Sequence, residues 1–223
     1  SLTTIDDLSE DQIVEILRLA AEMLDSRDEY AELASRQIMA SLFFEPSTRT
    51  RGSFESAMHR LGGRVITVAD AATSSLKKGE TLADTVRIWG GYADLIALRH
   101  PWEGAARLAA EYADVPVINA GDGAHEHPTQ TLVDLFTLWR EYGRLSGLKI
   151  AICGDLKRNR SVHSLIHALL RFGVEFYLVP ARGLKLPDSV SRRIAATAGV
   201  SMEEMSPGPF EPLFEPEAGG ASD

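Results

Sequence analysis

Apolar positions along the chain fall into two kinds of pattern, and these predict its elements. After Ser9, the residues Ile13, Ile16, Leu17, Ala20 and Leu24 recur at helical steps, and Ser9 with Gln12 has capping-box spacing. A helix is expected there. The unbroken run from Ile38 to Phe44 predicts a buried strand, which Pro46 breaks. Ser47 or Thr48 then caps a helix reaching about Leu61, and Gly62-Gly63 stops it. A short strand follows over Arg64–Val68, then a small, polar and basic mobile loop from Ala71 to Gly79.

The alternation continues. Thr81–Tyr92 reads as helix, Asp94–Leu98 as strand, Trp102–Tyr112 as helix and Val115–Asn119 as strand. Gly121-Asp122-Gly123 turns the chain towards His127, and Pro128 suits the first turn of a helix ending near Tyr142. Tyr142–Leu148 reads as a domain junction. Beyond it come strand Lys149–Cys153, helix Ser161–Phe172, strand Val174–Val179 and a helix after Pro187. Strands alternating with helices on both sides of the junction predict parallel α/β layers. The expected division is 1–143, 144–205 and an irregular Pro-, Gly- and Glu-rich tail over 206–223.

Composition narrows the function classes. With 223 residues, 44% hydrophobic and 25% charged, the chain has the make-up of a globular protein of one or two domains. Its formal net charge of −9 argues against a nucleic-acid partner but leaves a small phosphate ligand open. The lone cysteine, Cys153, has no internal disulfide partner, which suits a cytoplasmic setting. No apolar run is long enough for a bilayer, and the polar, acidic start over Ser1–Asp11 does not read as a signal peptide.

The chemistry concentrates after the first strand. A helix N-terminus at Ser47-Thr48-Arg49-Thr50 offers unpaired N–H groups, three hydroxyls and a guanidinium, which together make an anion cradle. Taken alone, these residues read more readily as a helix cap with a surface arginine. His127 before Pro128 likewise reads as a cap, and Arg99 as a solvated strand-end charge. His125-Glu126-His127 completes no metal-ligand pattern, and Gly154-Asp155-Leu156 lacks the glycine spacing of a dinucleotide fingerprint. No metal and no cofactor are expected.

Longer strings are more specific. FFEPSTRTRGSFESAMHRLGG resembles the carbamoyl-phosphate signature of the aspartate and ornithine carbamoyltransferase family. SSLKKGETLADT, RHPWEGAARLA, NAGDGAHEHPTQTLVDLFTL and GDLKRNRSVHSL resemble segments of its aspartate branch, in family order. The resemblance runs from the first helix to about Val179. It implies two parallel-sheet α/β domains of the carbamoyltransferase type, the second incomplete. It also implies transfer of a carbamoyl group from carbamoyl phosphate to the amine of L-aspartate, a step of pyrimidine synthesis, without a cofactor.

By that resemblance Ser47, Thr48, Arg49 and Thr50 hold the phosphate, and Arg99, His127 and Gln130 complete the carbamoyl-phosphate site. Thr50, Arg99 and His127 would act as catalytic donors to the carbonyl oxygen. Gln130 would accept from the carbamoyl NH₂. Arg160 and Lys78 would bind aspartate. Ser74 and Lys78, with Lys77 as the register alternative, lie on a loop that in this family reaches the neighbouring subunit's site, which implies a homotrimer. A regulatory or multienzyme partner is compatible with the sequence.

Three departures from the family stand out. Gly52 replaces a larger apolar residue, and Lys157-Arg158-Asn159-Arg160 replaces a more usual Lys-Tyr-Gly-Arg. Neither a further arginine-and-glutamine acceptor loop nor a His-Pro-Leu-Pro segment is found, and the family's closing C-terminal helix is missing. A truncated chain, a partial sequence and a naturally short chain each account for that. Besides aspartate carbamoyl transfer, a non-catalytic carbamoyl-phosphate-binding or trimer-forming subunit and a transferase with another acceptor fit the same strings.

Overall fold

The apolar run after Gln37 becomes the inner strand of a parallel sheet, because only a strand flanked on both sides buries every side chain. In the computed structural model, which describes residues 1–69 and 79–205, this strand is β1 (Ile38–Phe43), buried from Met39 onward. It pairs with β2 (Arg64–Val68) on one side and β3 (Leu95–His100) on the other, and β3 pairs with β4 (Val117–Asp122). All pairings are parallel, in the order β2-β1-β3-β4. The chain therefore steps outward from β1 to β2, then crosses back to place β3 on β1's other side. A reversal of this kind opens a crevice at the carboxyl ends of the two strands concerned. β1 ends there at Phe43 and β3 at Arg99-His100, and Phe43 is Arg99's register partner.

Helices α1 (Glu10–Asp25), α2 (Thr48–Arg60), α3 (Leu82–Gly90), α4 (Ala105–Tyr112) and α5 (Pro128–Tyr142) accompany this sheet. Ser9 and Gln12 close the expected capping box at α1. Ile13 and Leu17 are fully buried, whereas Leu24, at the end of the predicted stripe, is exposed. After α5 the chain turns at Gly143 and builds a second parallel sheet of β5 (Lys149–Gly154), β6 (Glu175–Pro180) and β7 (Ser201–Glu204). Helices α6 (Arg160–Leu169) and α7 (Asp188–Ala196) provide its crossovers. One continuous apolar cluster joins Ile13, Leu17 and Leu135 of α1 and α5 to Ile166, Phe176 and Leu178 around the second sheet. A separate cluster, including Leu42, Val86, Leu98 and Val117, fills the first sheet.

Several boundaries differ from the sequence-based expectation. Helix α4 begins at Ala105, not Trp102. Trp102 N–H donates to His100 Nδ1, and Gly104 takes a left-handed conformation ahead of the helix. Strand β4 begins at Val117, because Pro116 offers only its carbonyl, to Ile96. It continues through Gly121 to Asp122, so Gly121 lies within the strand and the turn starts at Gly123. β7 was not expected. It is short, exposed and without an apolar alternation, and backbone pairing to β6 defines it. The loop residues 71–78 and the tail 206–223 lie outside the described residues.

Candidate functional site

The cradle forms where β1 gives way to α2. Ser47 is the N-cap of α2, and its side chain makes no capping hydrogen bond, so its hydroxyl and the first N–H groups of the helix have no ligand within the helix itself. The expected residues border two hollows. One, of about 460 Å³, brings Arg49 and Thr50 of α2 together with His127 and Gln130 at the start of α5. The other, of about 340 Å³, is walled by Phe43 to Thr48, Arg51 and Ala69. Ser47 and Thr48 thus face one hollow, and Arg49 and Thr50 the other, around the same helix end.

Arg99 lies at the carboxyl end of β3, beside the cradle, and is 8% exposed. Its Nη1 donates to the Ala120 carbonyl at 2.8 Å. Its Nη2 and Nε reach Glu45 Oε1 and Oε2 at 3.4 and 3.3 Å. Arg160, at the start of α6, reaches Glu45 Oε1 at 3.2 Å through Nη2. One carboxylate therefore holds the two arginines, one from strand β3 and one from helix α6. Burial works to raise the Glu45 pKa, but the bond to Arg160 and the charges of Arg99 and Arg160 overcome it and hold the carboxyl below its usual range. Burial and the Arg160 charge push Arg99 in the direction that disfavours its cation. Glu45 Oε2, Arg99 Nε and Arg160 Nη1 remain buried without a hydrogen bond of good geometry. The cluster sets two guanidinium charges against one carboxylate and is not saturated in hydrogen bonds, which suits a site that takes an anion.

His127 is the N-cap of α5 and 8% exposed. Burial first, then the charges of Arg99 and Arg160, push its pKa down to about 4. The ring is neutral at pH 7 and offers one N–H and one acceptor nitrogen. Its backbone N–H donates to Ser164 Oγ of α6 at 3.0 Å. Ser164 in turn donates to the buried Glu126 at 3.1 Å, whose Oε2 also accepts from Ile5 N–H. Gln130 donates from Nε2 to Asp134 Oδ1 at 2.9 Å, which leaves its own oxygen as the free acceptor. Burial raises the pKa of Asp134, and the bond from Gln130 partly offsets that.

Of the residues singled out from the sequence, Ser47, Thr48, Arg49, Thr50, Arg99, His127, Gln130 and Arg160 gather at the crevice between β1 and β3 or at its α6 wall. Ser74, Lys77 and Lys78 lie outside the described residues. Among the described residues no group of three or more His, Cys, Asp or Glu side chains could hold a metal ion. His125 turns away from His127 to Asp122, at 3.3 Å. Glu45, Gly121, Glu126 and Asp134 shape the site and were not singled out. Glu45 stands within the quoted cradle string, but its partners lie 54 and 115 residues away, so no local pattern marks it.

Residues 1–140 match the family model described as "Aspartate/ornithine carbamoyltransferase, carbamoyl-P binding domain". The chain belongs to the aspartate/ornithine carbamoyltransferase family. It is 53% identical over 199 residues to the aspartate carbamoyltransferase catalytic subunit of Methanocaldococcus jannaschii, covering 87% of this chain and 65% of that one. It is 52% identical over 206 residues to that of Bifidobacterium adolescentis, covering 92% and 64%. The chain thus spans less than two thirds of the length of these relatives. Among solved structures, the aspartate transcarbamoylase of Trypanosoma cruzi in complex with carbamoyl phosphate and aspartate superposes with a TM-score of 0.85 at 40% identity, over 92% of this chain and 70% of that one. The M. jannaschii catalytic subunit superposes with a TM-score of 0.83 at 51% identity, over 91% and 67%. Both parallel sheets are thus those of a carbamoyltransferase family member.

Proposed function

We propose that the chain carries the carbamoyl-phosphate site of an aspartate carbamoyltransferase and transfers the carbamoyl group to the amine of L-aspartate, releasing phosphate and N-carbamoyl-L-aspartate. The observation that carries this reading is that Arg49 and Thr50 of α2 share one hollow with His127 and Gln130, while Arg99 ends β3 beside β1. Ser47, Thr48 and Arg49 hold the phosphate at the positive end of α2. The aspartate amine attacks the carbonyl carbon, a C–N bond forms, and charge grows on the carbonyl oxygen. Thr50, Arg99 and neutral His127 donate to that oxygen. The Gln130 oxygen, freed by Asp134, accepts from the carbamoyl NH₂. The C–O bond to phosphate then breaks, the departing phosphate takes the proton released by the amine, and the cradle takes the leaving group's remaining charge. No covalent enzyme intermediate is needed, so the rate gain comes from placement and electrostatics.

Arg160 is assigned to the aspartate carboxylate, which must then take over the place of Glu45. Lys78 is assigned to the same substrate. Ser74 and Lys78 are assigned to a loop that enters the site of a neighbouring copy, giving a homotrimer with shared sites. The division of labour falls at 143, with 144–205 as the acceptor side. A cytoplasmic setting belongs to the same proposal and fits the free Cys153 thiol.

A carbamoyl-aspartate assay on this chain, paired with calorimetric titration of carbamoyl phosphate, tests the proposal. Binding that Arg49→Ala abolishes, together with turnover, is the expected result. Binding without turnover at saturating aspartate replaces transfer with a binding-only role, and absence of binding removes both.

A further inference from the structure

Helix α2 carries the cradle at its N-terminus, yet its apolar anchors lie towards its other end. Met58 is its one buried residue, and Phe54 and Leu61 pack with it against Ala34, Met39 and Ala97. The first turn, from Thr48 to Arg51, buries no apolar side chain, Ser47 makes no side-chain cap, and Gly52 follows. A helix end with so little hold should fray, since helical stability in proteins comes mostly from the packed face.

Polar ties at the middle of the helix reach back towards this end. Glu55 Oε1 accepts from Ser41 Oγ of β1 at 2.9 Å and from Thr67 Oγ1 of β2 at 2.9 Å. Arg51 Nε lies 3.8 Å from the same oxygen, one helical turn back. Ser41 is fully buried. Among the described residues, Glu55 is the one α2 side chain that hydrogen-bonds to the sheet. Ser41 stands two residues before Phe43, and Thr67 two before Ala69. Phe43 and Ala69 wall the 340 Å³ hollow together with Ser47, Thr48 and Arg51. Glu55 therefore ties together the two strands and the helix whose ends form the hollow.

We propose that Glu55 is a positioning residue for the anion site: it locks the first turns of α2 onto β1 and β2 and holds Arg51 in the wall of the hollow, so that phosphoryl affinity depends on a carboxylate that never touches the ligand. This rests on the reading of Ser47 to Thr50 as a phosphate cradle. The charge of Glu55 matters for Arg51, and its oxygen matters for the two hydroxyls. The amide in Glu55→Gln retains an acceptor for the hydroxyls but loses the attraction to Arg51.

The test is calorimetric titration of the full chain with inorganic phosphate and with carbamoyl phosphate, alongside circular dichroism and thermal denaturation. Glu55→Gln is expected to weaken binding about 2- to 5-fold, the size of a partly exposed ion pair, with an unchanged spectrum. Thr67→Val, which removes one donor and leaves α2 untouched, is expected to weaken it about 3-fold. The double variant Arg51→Gln/Glu55→Gln should bind no more weakly than Arg51→Gln alone, because Glu55 acts on affinity through Arg51; a merely structural role gives additive losses. Additive losses, or wild-type affinity in Glu55→Gln, overturn the proposal. Arg49→Ala separates the layers. Its weakening, with Glu55→Gln unaffected, removes only the positioning role; wild-type binding in both removes the cradle as well. If Glu55→Gln fails to fold, Thr67→Val decides.

Discussion

The guanidinium of Arg99 crosses the bare Cα of Gly121, where a β-carbon would lie 2.1 Å from Nη1. Gly121 also has a φ of +113°, a conformation that L side chains rarely adopt. The glycine is the passage through which Arg99 turns to the Ala120 carbonyl. Gly121→Ala is expected to displace the guanidinium and to destabilise the fold by about 2–4 kcal/mol, combining backbone strain with overpacking. It should weaken carbamoyl phosphate as much as Arg99→Ala does. Thermal denaturation and calorimetry check both halves; a wild-type midpoint and affinity would refute the crossing.

Glu45 lies between Arg99 and Arg160, and its removal leaves two largely buried guanidinium groups facing each other. Glu45→Ala is expected to cost about 2–4 kcal/mol in urea denaturation, towards the lower end because the carboxylate is partly exposed. Added phosphate should recover part of that loss, since an anion can take the vacated place. Denaturation midpoints with and without phosphate measure the recovery, and an equal shift in wild type and variant would argue against the arginines as the anion's partners.

Acid should weaken the protein in two separate windows. His127 has its folded pKa depressed to about 4, so its unfolded form takes up protons first. Stability is therefore full above the unfolded value near 6.5 and falls as pH drops from there to about 4, by roughly 2–3 kcal/mol. Asp6 works to the same sign lower down. Burial opposes ionisation there, but bonds to Arg193 and Arg171 bring its pKa to about 2. Its contribution is present above the unfolded value near 3.8 and lost as pH falls through about 2. Urea titrations of wild type, His127→Asn and Asp6→Asn from pH 7 to pH 2 separate the windows. An NMR titration that places His127 itself near 6.5 would remove the first.

Gly52 is inside helix α2, and a β-carbon built there meets nothing within 4 Å. Gly52→Ala should therefore stabilise the chain by about 0.5–1 kcal/mol through helix propensity and a less flexible unfolded state. Phosphate affinity should stay within a factor of about two of wild type, too small a change to cost a contact. Paired urea curves and calorimetry test this; a destabilised variant would point to a use for the glycine that the open space does not reveal.

Much of the fold could be read from neighbouring residues. Ser9 and Gln12 mark a helix start, Ile38 to Phe43 a buried strand, Pro46 and Gly62-Gly63 the ends of their elements, and Pro128 a helix first turn. Capping, chain stiffness and hydrophobic period act over a few residues, so they leave a local trace. The helix N-terminus proposed as the cradle was legible for the same reason, since it and its hydroxyls are contiguous. Strand β7 was not, because its exposed residues carry no apolar alternation and only pairing with β6 makes them a strand.

The rest of the site depended on the sheet order. Gly121 reads locally as a turn residue, yet it lies in β4 and clears the path for Arg99, 22 positions earlier in the chain. Glu45 gives no local sign that it joins Arg99 to Arg160, nor Glu126 that it joins Ile5 to α6. Local chemistry specified which segments become helix or strand and which helix end offers donors to the proposed anion. Which charges meet across that end was settled by the crossover that puts β3 beside β1 and by the packing of α5 against α6, since buried charges must find partners wherever the chain brings them.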